Sequence, residues 1–241
     1  MSEKNKAAFE AFAEDYSCWA WATNSPGERG YDEAISFLPT SPNRVLEAGC
    51  GSGVLTLKLA SHVDSIVGVD ISPSMIKLAK FHQSRLKIKN VEFIVADLET
   101  LPFGKGTFDF IVSYIAIHCT HMETVLPALT GLIKPGGRMV ICDLVTSYPR
   151  LEASPLWQRL RVIRNVPNYI RSYDLRTMWR IVSFQMKPSW IRYVCDDKNK
   201  KFTPESFREI YSRLLPGCRF ERNPKTPWKM VVFWEAPKAN S

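Results

Sequence analysis

The chain has 241 residues, 45% of them hydrophobic, which is enough for one α/β domain with a full core. No apolar run reaches the roughly 18 residues of a membrane span. No signal-peptide core follows the polar N-terminus, so we expect a cytoplasmic protein. The six cysteines form no Cys-x-x-Cys pair and have no histidine at metal-ligand spacing. We therefore expect free thiols, mostly buried, and no metal site.

The net charge of +8 is concentrated in one segment of the chain. Residues 147–201 contain twelve basic and four acidic residues, whereas the rest of the chain contains twenty of each. This uneven distribution predicts that the basic residues of 147–201 form a functional surface and do not merely increase the solubility of the protein.

Residues 7–22 are predicted to form a helix with an aromatic face, because Phe12, Tyr16 and Trp19 recur at intervals of three or four. In one interpretation this face packs on a sheet. In the other it is a lid over a bound cation, with Tyr16 and Trp19 or Trp21 near the positive charge, since aromatic faces attract cations.

Three alternate glycines, Gly49, Gly51 and Gly53, follow an apolar run and precede an apolar stretch that suits a helix. Glycine suits a sharp turn at which a ligand approaches the main chain closely. A strand, a glycine-rich turn and a helix N-terminus together form the nucleotide crevice of an open α/β sheet. The spacing differs from the G-x-G-x-x-G of dinucleotide sites, and the charge of Glu47 would repel a pyrophosphate. We therefore expect a cationic ligand here.

This pattern resembles motif I of the class I S-adenosylmethionine-dependent methyltransferases, in particular their type 11 and ubiquinone/menaquinone-biosynthesis-like group. The resemblance implies S-adenosylmethionine as cofactor, with Glu47 and the three glycines around its methionine part. It covers residues 40–145 with specific motifs and residues 202–237 by pattern alone. Tyr16 and Trp19 correspond to the aromatic helix that often precedes motif I in this family, and we count them among the cofactor-binding residues.

Asp70 ends a predicted strand at residues 65–69, about 20 residues beyond the glycines, where a carboxylate can bond both ribose hydroxyls. Alternatively, Asp70 is a carboxylate favoured by the dipole of the helix that starts after it. The residues that follow, including Ile71 and Met75, resemble the second motif of the family and are predicted to bind the cofactor.

Asp97 and Leu98 follow a predicted strand at residues 91–96. The resemblance places Asp97 on the adenine amino group and the Leu98 amide near the adenine ring, whereas the alternative for Asp97 is a turn-capping residue. Ser113 and Tyr114 end the next predicted strand and are expected to contact the cofactor.

His118 lies where many family members carry the first histidine of a hydrophobic-His-His element, and Cys119 takes the second position. In the family, this segment faces the methyl donor and the acceptor. A neutral imidazole there could take a proton from an O–H or N–H nucleophile, which makes His118 a candidate catalytic base and substrate contact. The alternative is that His118 packs in the core and bonds a backbone carbonyl.

Residues 123–133 have helical apolar spacing, and the sequence Lys-Pro-Gly-Gly at 134–137 is predicted to end that helix before a strand at 138–144. After this strand, residues 145–199 mix arginine with aromatic residues. Pro167 and Pro188 are predicted to split this segment into two or three helices.

The fold position of these helices implies a cap over the active site, where arginines could bind an acidic substrate and aromatics could bury its apolar part. The candidate substrate-binding residues are Trp21, Arg164, Arg171 and Tyr173. Three other interpretations stay open: a nucleic-acid surface, a lipid-headgroup surface that gives peripheral membrane contact, and a solvated basic face.

Together with these patterns, the resemblance implies a Rossmann-like α/β fold: a seven-stranded, mostly parallel sheet with helices on both faces, an antiparallel last strand and a helical cap insertion. We expect a single domain with four parts: an N-terminal aromatic lid (1–38), a cofactor-binding core (39–146), a basic substrate cap (147–201), and a C-terminal helix with a closing strand pair (202–241).

The resemblance implies methyl transfer from S-adenosylmethionine, with S-adenosylhomocysteine as product. The basic aromatic segment leads us to expect a small, partly apolar, acidic metabolite as the acceptor, by O-, N- or C-methylation. Holding donor and acceptor about 3 Å apart and aligned can itself supply several kcal/mol. Two alternatives stay open: methylation of RNA through the basic segment, and a cyclisation or rearrangement that uses S-adenosylmethionine without transferring its methyl group. The sequence does not determine the oligomeric state.

Overall fold

The computed structural model describes residues 3–23, 32–147, 154–195, 202–222 and 228–238. Within these ranges seven strands form one sheet: β1 (Arg44–Ala48), β2 (Ser65–Asp70), β3 (Val91–Val95), β4 (Phe108–Tyr114), β5 (Ile133–Leu144), β6 (Arg219–Glu221) and β7 (Lys229–Glu235). The strand order is β3-β2-β1-β4-β5-β7-β6. Strands β1 to β5 pair in parallel, and β7 runs antiparallel to β5 and β6. The predicted mostly parallel sheet with an antiparallel closing strand is confirmed.

The described helices are α1 (Glu3–Thr23), α2 (Asp32–Ser36), α3 (Val54–Leu59), α4 (Pro73–Leu86), α5 (Met122–Leu132), α6 (Pro155–Ser172), α7 (Leu175–Met186), α8 (Pro188–Cys195) and α9 (Pro204–Leu214). Short 3-10 turns cover Ala60–His62 and Ile117–Cys119. None of these helices combines the length and apolar character needed to cross a membrane.

Two hydrophobic cores lie on opposite faces of the sheet. Side chains alternate along a strand, so Leu46 and Ile141 enter the core formed with α5 and α9. Their neighbours Val45 and Val140 enter the core formed with α3 and α4. Burial on both faces explains why the central strands read as nearly continuous apolar runs.

The segment predicted to form the cap folds into three helices, α6 to α8, which we call the cap helices, but the helix boundaries differ from the prediction. Pro167 lies inside α6 and does not split it. Because Pro167 is on the exposed side of α6, the carbonyl that loses its helical partner can bond to water. The break falls instead before Asp174, whose carboxylate accepts the N–H groups of Arg176 and Thr177, each at 3.0 Å, and so starts α7. As predicted, Pro188 begins the last cap helix.

The aromatic face of α1 packs mainly against the cap. The helix is kinked at Phe12, where φ is −127° and ψ is 17°. The ring of Phe12 lies 5.5 Å from that of Trp190 and 5.9 Å from that of Phe184. Packing on the sheet is therefore wrong for Phe12, although Tyr16 also touches the core on the α3–α4 face.

Close packing around Gly137, in the strand that follows α5, requires glycine at this position. The helix stops at Leu132, so the Lys-Pro-Gly-Gly sequence lies within β5 rather than at the helix end. A Cβ atom on Gly137 would lie 2.7 Å from Ile133 Cγ2 and 2.9 Å from the carbonyl oxygen of Asp109. The Asp109 carbonyl belongs to the backbone and cannot move away without a large cost in free energy, so this position excludes any residue larger than glycine.

We predict that Gly137→Ala lowers the free energy of unfolding by about 1–3 kcal/mol through overpacking. Gly131→Ala is the matched control, because a Cβ atom there meets nothing within 4 Å and the position is helical. The control is expected to stabilise the chain by about 0.4–1 kcal/mol through the reduced entropy of the unfolded chain. Chemical denaturation of both variants tests this, and equal effects of the two substitutions would contradict it.

Candidate functional site

The candidate site lies where the strand order reverses between β1 and β4. In open α/β sheets, ligands bind at this switch point, beyond the carboxyl ends of the parallel strands. The carboxyl ends here carry the glycine turn after β1, Asp70 at the end of β2, and the 3-10 turn with His118 after β4. The topology therefore brings together residues that the sequence separates.

The glycine turn needs glycine for two different reasons. Gly49, Gly51 and Gly53 have φ values of 80°, 50° and 82°, which L side chains rarely adopt. A Cβ atom on Gly49 would lie 2.3 Å from Ala116 Cβ, and one on Gly53 would lie 2.7 Å from the ring of Phe93. Gly51 has nothing within 4 Å of that position. Gly49 and Gly53 are thus fixed by packing, while Gly51 leaves an open side that a ligand can approach.

Asp70 ties the glycine turn to the start of α4. Its carboxylate accepts the N–H of Gly51 and the N–H of Ser72, each at 2.9 Å. Burial raises the pKa of Asp70, although both N–H donors favour its charged form. Each oxygen retains a further lone pair. Asp70 therefore serves the helix start, as one interpretation expected, and keeps acceptor capacity for hydroxyl groups.

Glu47 is a second buried carboxyl group in the site, 3% exposed. The hydroxyl of Thr56 donates a hydrogen bond to it. Burial raises the pKa of Glu47 to about 8 against the effect of this hydrogen bond, and the charge of Asp70 acts in the same direction as burial. The two carboxyl groups disfavour each other's ionisation, so a cation between them would be stabilised.

A third carboxylate, Glu10, reaches the site from α1. It accepts hydrogen bonds from the hydroxyls of Ser72 and Ser74 and, at 3.4 Å, from the N–H of Ser74. This places a negative charge at the N-terminus of α4, where the helix dipole favours it. Glu10 is not predicted from the sequence, because its partners lie more than 60 residues away and no local motif marks it.

His118 forms an ion pair with Asp143. This aspartate lies near the end of β5 and is not predicted from the sequence. The imidazole Nδ1 lies 2.6 Å from a carboxylate oxygen of Asp143, whose side chain is fully buried. The backbone N–H of His118 donates to the other oxygen at 3.1 Å. Burial alone would lower the pKa of His118, but the Asp143 carboxylate and Cys119 together outweigh it and hold the pKa well above the usual value. The imidazole partner is thus a carboxylate rather than the backbone carbonyl that the alternative expected.

An aromatic roof formed by Tyr16, Trp19, Phe184, Trp190 and Tyr193 joins α1 to the cap helices. The ring of Trp190 lies 6.1 Å from that of Tyr16 and 6.0 Å from that of Trp19. The Tyr193 hydroxyl is 3.4 Å from the sulfur of Cys119. Burial raises the pKa of Tyr16, and the nearby Asp70 carboxylate raises it further.

Other predicted cofactor residues make contacts within the protein. The hydroxyl of Ser113 donates to the carbonyl of Ala48 at 2.7 Å, and the hydroxyl of Tyr114 contacts Lys229. Asp97 accepts the N–H of Glu99 at 3.0 Å, which is the turn-capping contact that the alternative expected. Of the other predicted cofactor residues, Met75 and Leu98 are buried and Ile71 is half-buried. These contacts position the strand ends, and a direct cofactor role for these residues stays a prediction.

The predicted substrate residues fall in two places. Trp21 and Tyr173 line a cleft of about 710 Å³ between α1, α4 and α7, where Trp21 lies against the ring of His82 with centroids 4.2 Å apart. Arg164 and Arg171 are on the exposed side of α6 and do not line this cleft. Their contact with a substrate stays a prediction.

The described residues contain no group of three or more histidine, cysteine, aspartate or glutamate side chains that could hold a metal ion. The five cysteines whose side chains are described are free thiols: Cys18, Cys50, Cys119, Cys142 and Cys218. Two of them, Cys50 and Cys142, are buried and three are half-buried, so the expectation of mostly buried thiols is too strong.

The site residues fit an adenosyl sulfonium ligand in shape and in charge. The open side of Gly51 admits a ligand to the main chain. Asp70 bonds the turn directly and Glu10 bonds Ser72 beside it, while Glu47, whose pKa is about 8, adds a third carboxyl group that a nearby cation would help to ionise. The rings of Tyr16 and Trp19 add π-faces in the aromatic roof on the α1 side.

Comparison with known proteins identifies the family. A family model described as a methyltransferase domain matches residues 39–200, which is more than half of the chain. The O-methyltransferase cnsE of Penicillium expansum is 30% identical over 155 residues, 63% of this chain and 55% of that protein. The ubiquinone/menaquinone biosynthesis C-methyltransferase UbiE of Ectopseudomonas mendocina is 38% identical over 109 residues, 42% of this chain and 41% of that protein.

The chain thus spans about half the length of these curated relatives. A SAM-dependent methyltransferase from Aquifex aeolicus shares the fold, with a TM-score of 0.58 and 14% identity over 92% of this chain and 97% of that one. The family match, the strand order and the glycine turn lead to one assignment. The chain belongs to the class I S-adenosylmethionine-dependent methyltransferases, and S-adenosylmethionine is the cofactor of this family.

Proposed function

We propose that the chain transfers the methyl group of S-adenosylmethionine to a small, partly apolar acceptor. The observation that carries this proposal is the buried, carboxylate-lined glycine turn beside an aromatic roof. Support for a small acceptor comes from the relatives: one is named an O-methyltransferase and another a C-methyltransferase of ubiquinone and menaquinone biosynthesis. No described feature favours RNA methylation or a rearrangement over this function.

The proposed cofactor contacts follow the strand ends. Glu47 and the glycine turn hold the methionine part, Asp70 holds the ribose hydroxyls, and Asp97 with the Leu98 amide holds the adenine. When bound, the cofactor supplies an electrophilic methyl group on a positively charged sulfur. The protein contributes orientation and exclusion of water, and such positioning can provide several kcal/mol of the barrier reduction.

His118 and Asp143 are the proposed proton-accepting pair for an O–H or N–H acceptor. A neutral imidazole can take the proton, and the Asp143 carboxylate then stabilises the imidazolium. Because Asp143 and Cys119 raise the pKa of His118, the imidazole holds a proton more tightly than a free histidine does, and it becomes a better proton acceptor as the pH rises.

The proposed function is tested by calorimetric titration with S-adenosylmethionine and S-adenosylhomocysteine. Acidic aromatic and lipid-like metabolites are then screened by mass spectrometry for a methyl-sized gain in mass. Binding of both cofactor forms together with methylated product supports the proposal. Failure of both to bind would overturn it, and a product of altered structure without a methyl gain would point to a rearrangement.

We predict that Asp70→Asn weakens S-adenosylmethionine binding by roughly 10- to 100-fold, the loss expected for charged hydrogen bonds worth about 1.5–3 kcal/mol. The amide oxygen of asparagine can still accept one backbone N–H, so the turn should keep its shape. Asp64→Asn is the control, because Asp64 is exposed and lies before β2. Calorimetry measures both variants, and equal affinity in Asp70→Asn and wild type would move the ribose contact to another residue.

We predict opposite effects of Glu47→Gln on stability and on cofactor binding. The folded pKa of Glu47 is about 8 and the usual value is 4.5, so the folded chain binds the extra proton and loses stability as the pH rises between these values. Glutamine does not ionise, so the variant does not lose stability as the pH rises. Its amide oxygen can still accept the hydrogen bond from the Thr56 hydroxyl. At pH 8 the variant should be more stable by on the order of 4 kcal/mol, yet bind S-adenosylmethionine at least about tenfold more weakly.

Thermal unfolding from pH 5 to 8 and calorimetry at pH 8 test this pair of effects. Glu92→Gln is the control, since Glu92 is exposed on β3 and should change neither quantity. Wild-type affinity for S-adenosylmethionine should rise with pH up to about 8 as Glu47 ionises. A Glu47→Gln variant that is less stable than wild type at pH 8 would show that the ionised carboxylate supports the fold.

We predict that Asp143→Asn lowers the pKa of His118 toward its usual value near 6.5, because an amide cannot stabilise the imidazolium charge. Histidine NMR titration measures this without an acceptor, with His118→Gln assigning the signal and the other three histidines as internal controls. With an acceptor in hand, the variant should reach its maximal rate at lower pH, and that maximum should be about 100-fold lower than the wild-type maximum. An unchanged His118 titration would remove Asp143 from the pair.

A further inference from the structure

The helix α6 turns an apolar stripe toward solvent. Leu156, Leu160, Ile163, Pro167 and Ile170 are spaced by three or four residues and therefore share one side of the helix. The side chains of Leu156, Leu160, Ile163 and Ile170 are 66%, 49%, 57% and 55% exposed. Single exposed apolar residues are ordinary on protein surfaces, but an aligned row of five marks an interaction site.

The opposite side of α6 is packed against the protein, so the stripe is held in place. Gln158 and Val162 are buried on that side. The hydroxyl of Tyr169 bonds the side-chain oxygen of Gln185 on α7 at 3.4 Å. The helix therefore docks through one face and presents the other as a preformed surface.

Arginines flank the apolar stripe. With 100° of rotation per residue, Arg159 falls on one edge of the stripe and Arg164 and Arg171 on the other, and all three are exposed. After the turn to α7, Leu175 and Trp179 are 74% and 68% exposed, and their sequence neighbours Arg176 and Arg180 are exposed as well. From Ser154 to Cys195 the sequence contains a single acidic residue, Asp174, and its carboxylate caps α7.

We propose that the exposed face of α6, extended by Leu175 and Trp179, binds the surface of a membrane that contains anionic lipid. Helices that lie in a membrane interface bury an apolar stripe and place arginine or lysine along its edges, with tryptophan at headgroup depth. Each basic residue near an anionic surface adds about 1 kcal/mol, or roughly fivefold, to binding. Membrane binding by this face is separate from the proposed methyl transfer, and it can be tested without a methyl acceptor.

The arrangement favours lipid over the two other occupants. A nucleic acid would place its phosphates against arginines at the centre of the face, but here the centre is leucine and isoleucine. A second copy of the chain would bring its own Arg159, Arg164 and Arg171 toward the same edges, where like charges repel. An anionic bilayer satisfies both the apolar centre and the basic edges.

The test is co-sedimentation of the full chain with vesicles of phosphatidylcholine alone or mixed with phosphatidylglycerol. We expect binding to the mixed vesicles that weakens as salt is raised. Combined Leu160→Ser and Ile163→Ser substitutions should lower the partition coefficient at least about tenfold. Arg159→Gln with Arg164→Gln should lower it roughly 25-fold at low salt, from about fivefold per arginine.

Matched controls use exposed residues outside this face. Phe81→Ser with Leu86→Ser removes two side chains that are each 53% exposed on α4. Lys80→Gln with Arg208→Gln removes two exposed charges. Both control variants should bind vesicles as the wild type does. Circular dichroism and S-adenosylhomocysteine titration establish that each variant is folded.

A second measurement does not depend on the folding of the apolar variants. Vesicles with brominated acyl chains should quench tryptophan fluorescence of the wild type more than that of Trp179→Phe, because Trp179 enters the bilayer interface. Three results would overturn the proposal: no binding to mixed vesicles, binding that the stripe substitutions leave unchanged, or equal quenching of the two proteins. A tRNA mobility shift lost only in the arginine variant would assign the face to nucleic acid. A halved mass in solution for the stripe variant would assign it to a second copy.

Discussion

The site depends on the close approach of three strand ends to the turn between β1 and α3. Gly49 leaves no space for a Cβ atom against Ala116, and Gly51 donates its N–H to Asp70. These two contacts join β1 to the segment after β4 and to the end of β2. Both need positive φ values at the glycines. A side chain at Gly49 would separate β1 from the turn that carries His118, so cofactor binding and the proposed proton transfer share one backbone constraint.

The same constraint concentrates unfavourable charge. The turn holds Glu47, Asp70 and Glu10 close to one another, and burial raises the pKa of both Glu47 and Asp70. Without a cation, the folded chain is less stable than it would be with neutral residues at these positions. Proteins retain such local costs where binding requires them. A positively charged cofactor offsets the cost, so ligand binding and stability are linked through these carboxyl groups.

Local patterns predicted most of the fold and the place in the fold of part of the candidate site. Apolar strands that end in glycine or aspartate placed the turn after β1 and Asp70 correctly, because each pattern lies within one βα unit. Glu10 and Asp143 were not predicted, because their partners are 62 and 25 residues away. These contacts depend on how the helices and strands pack. Pro167 misled the helix prediction because the cost of an interior proline depends on exposure, which the sequence does not show.

The cap connects the two proposed surfaces through single helices. On α7, Phe184 belongs to the aromatic roof, while Trp179, five residues earlier, points to solvent on the opposite side. A helix places such residues on different faces, so a contact made by one constrains the other through a rigid element. Attachment of α6 and α7 to a lipid surface would therefore hold the roof that Trp190 and Phe184 form with Tyr16. A partly apolar acceptor would dissolve in that lipid surface. Membrane binding through this face would therefore bring the protein to the place where the proposed substrate collects.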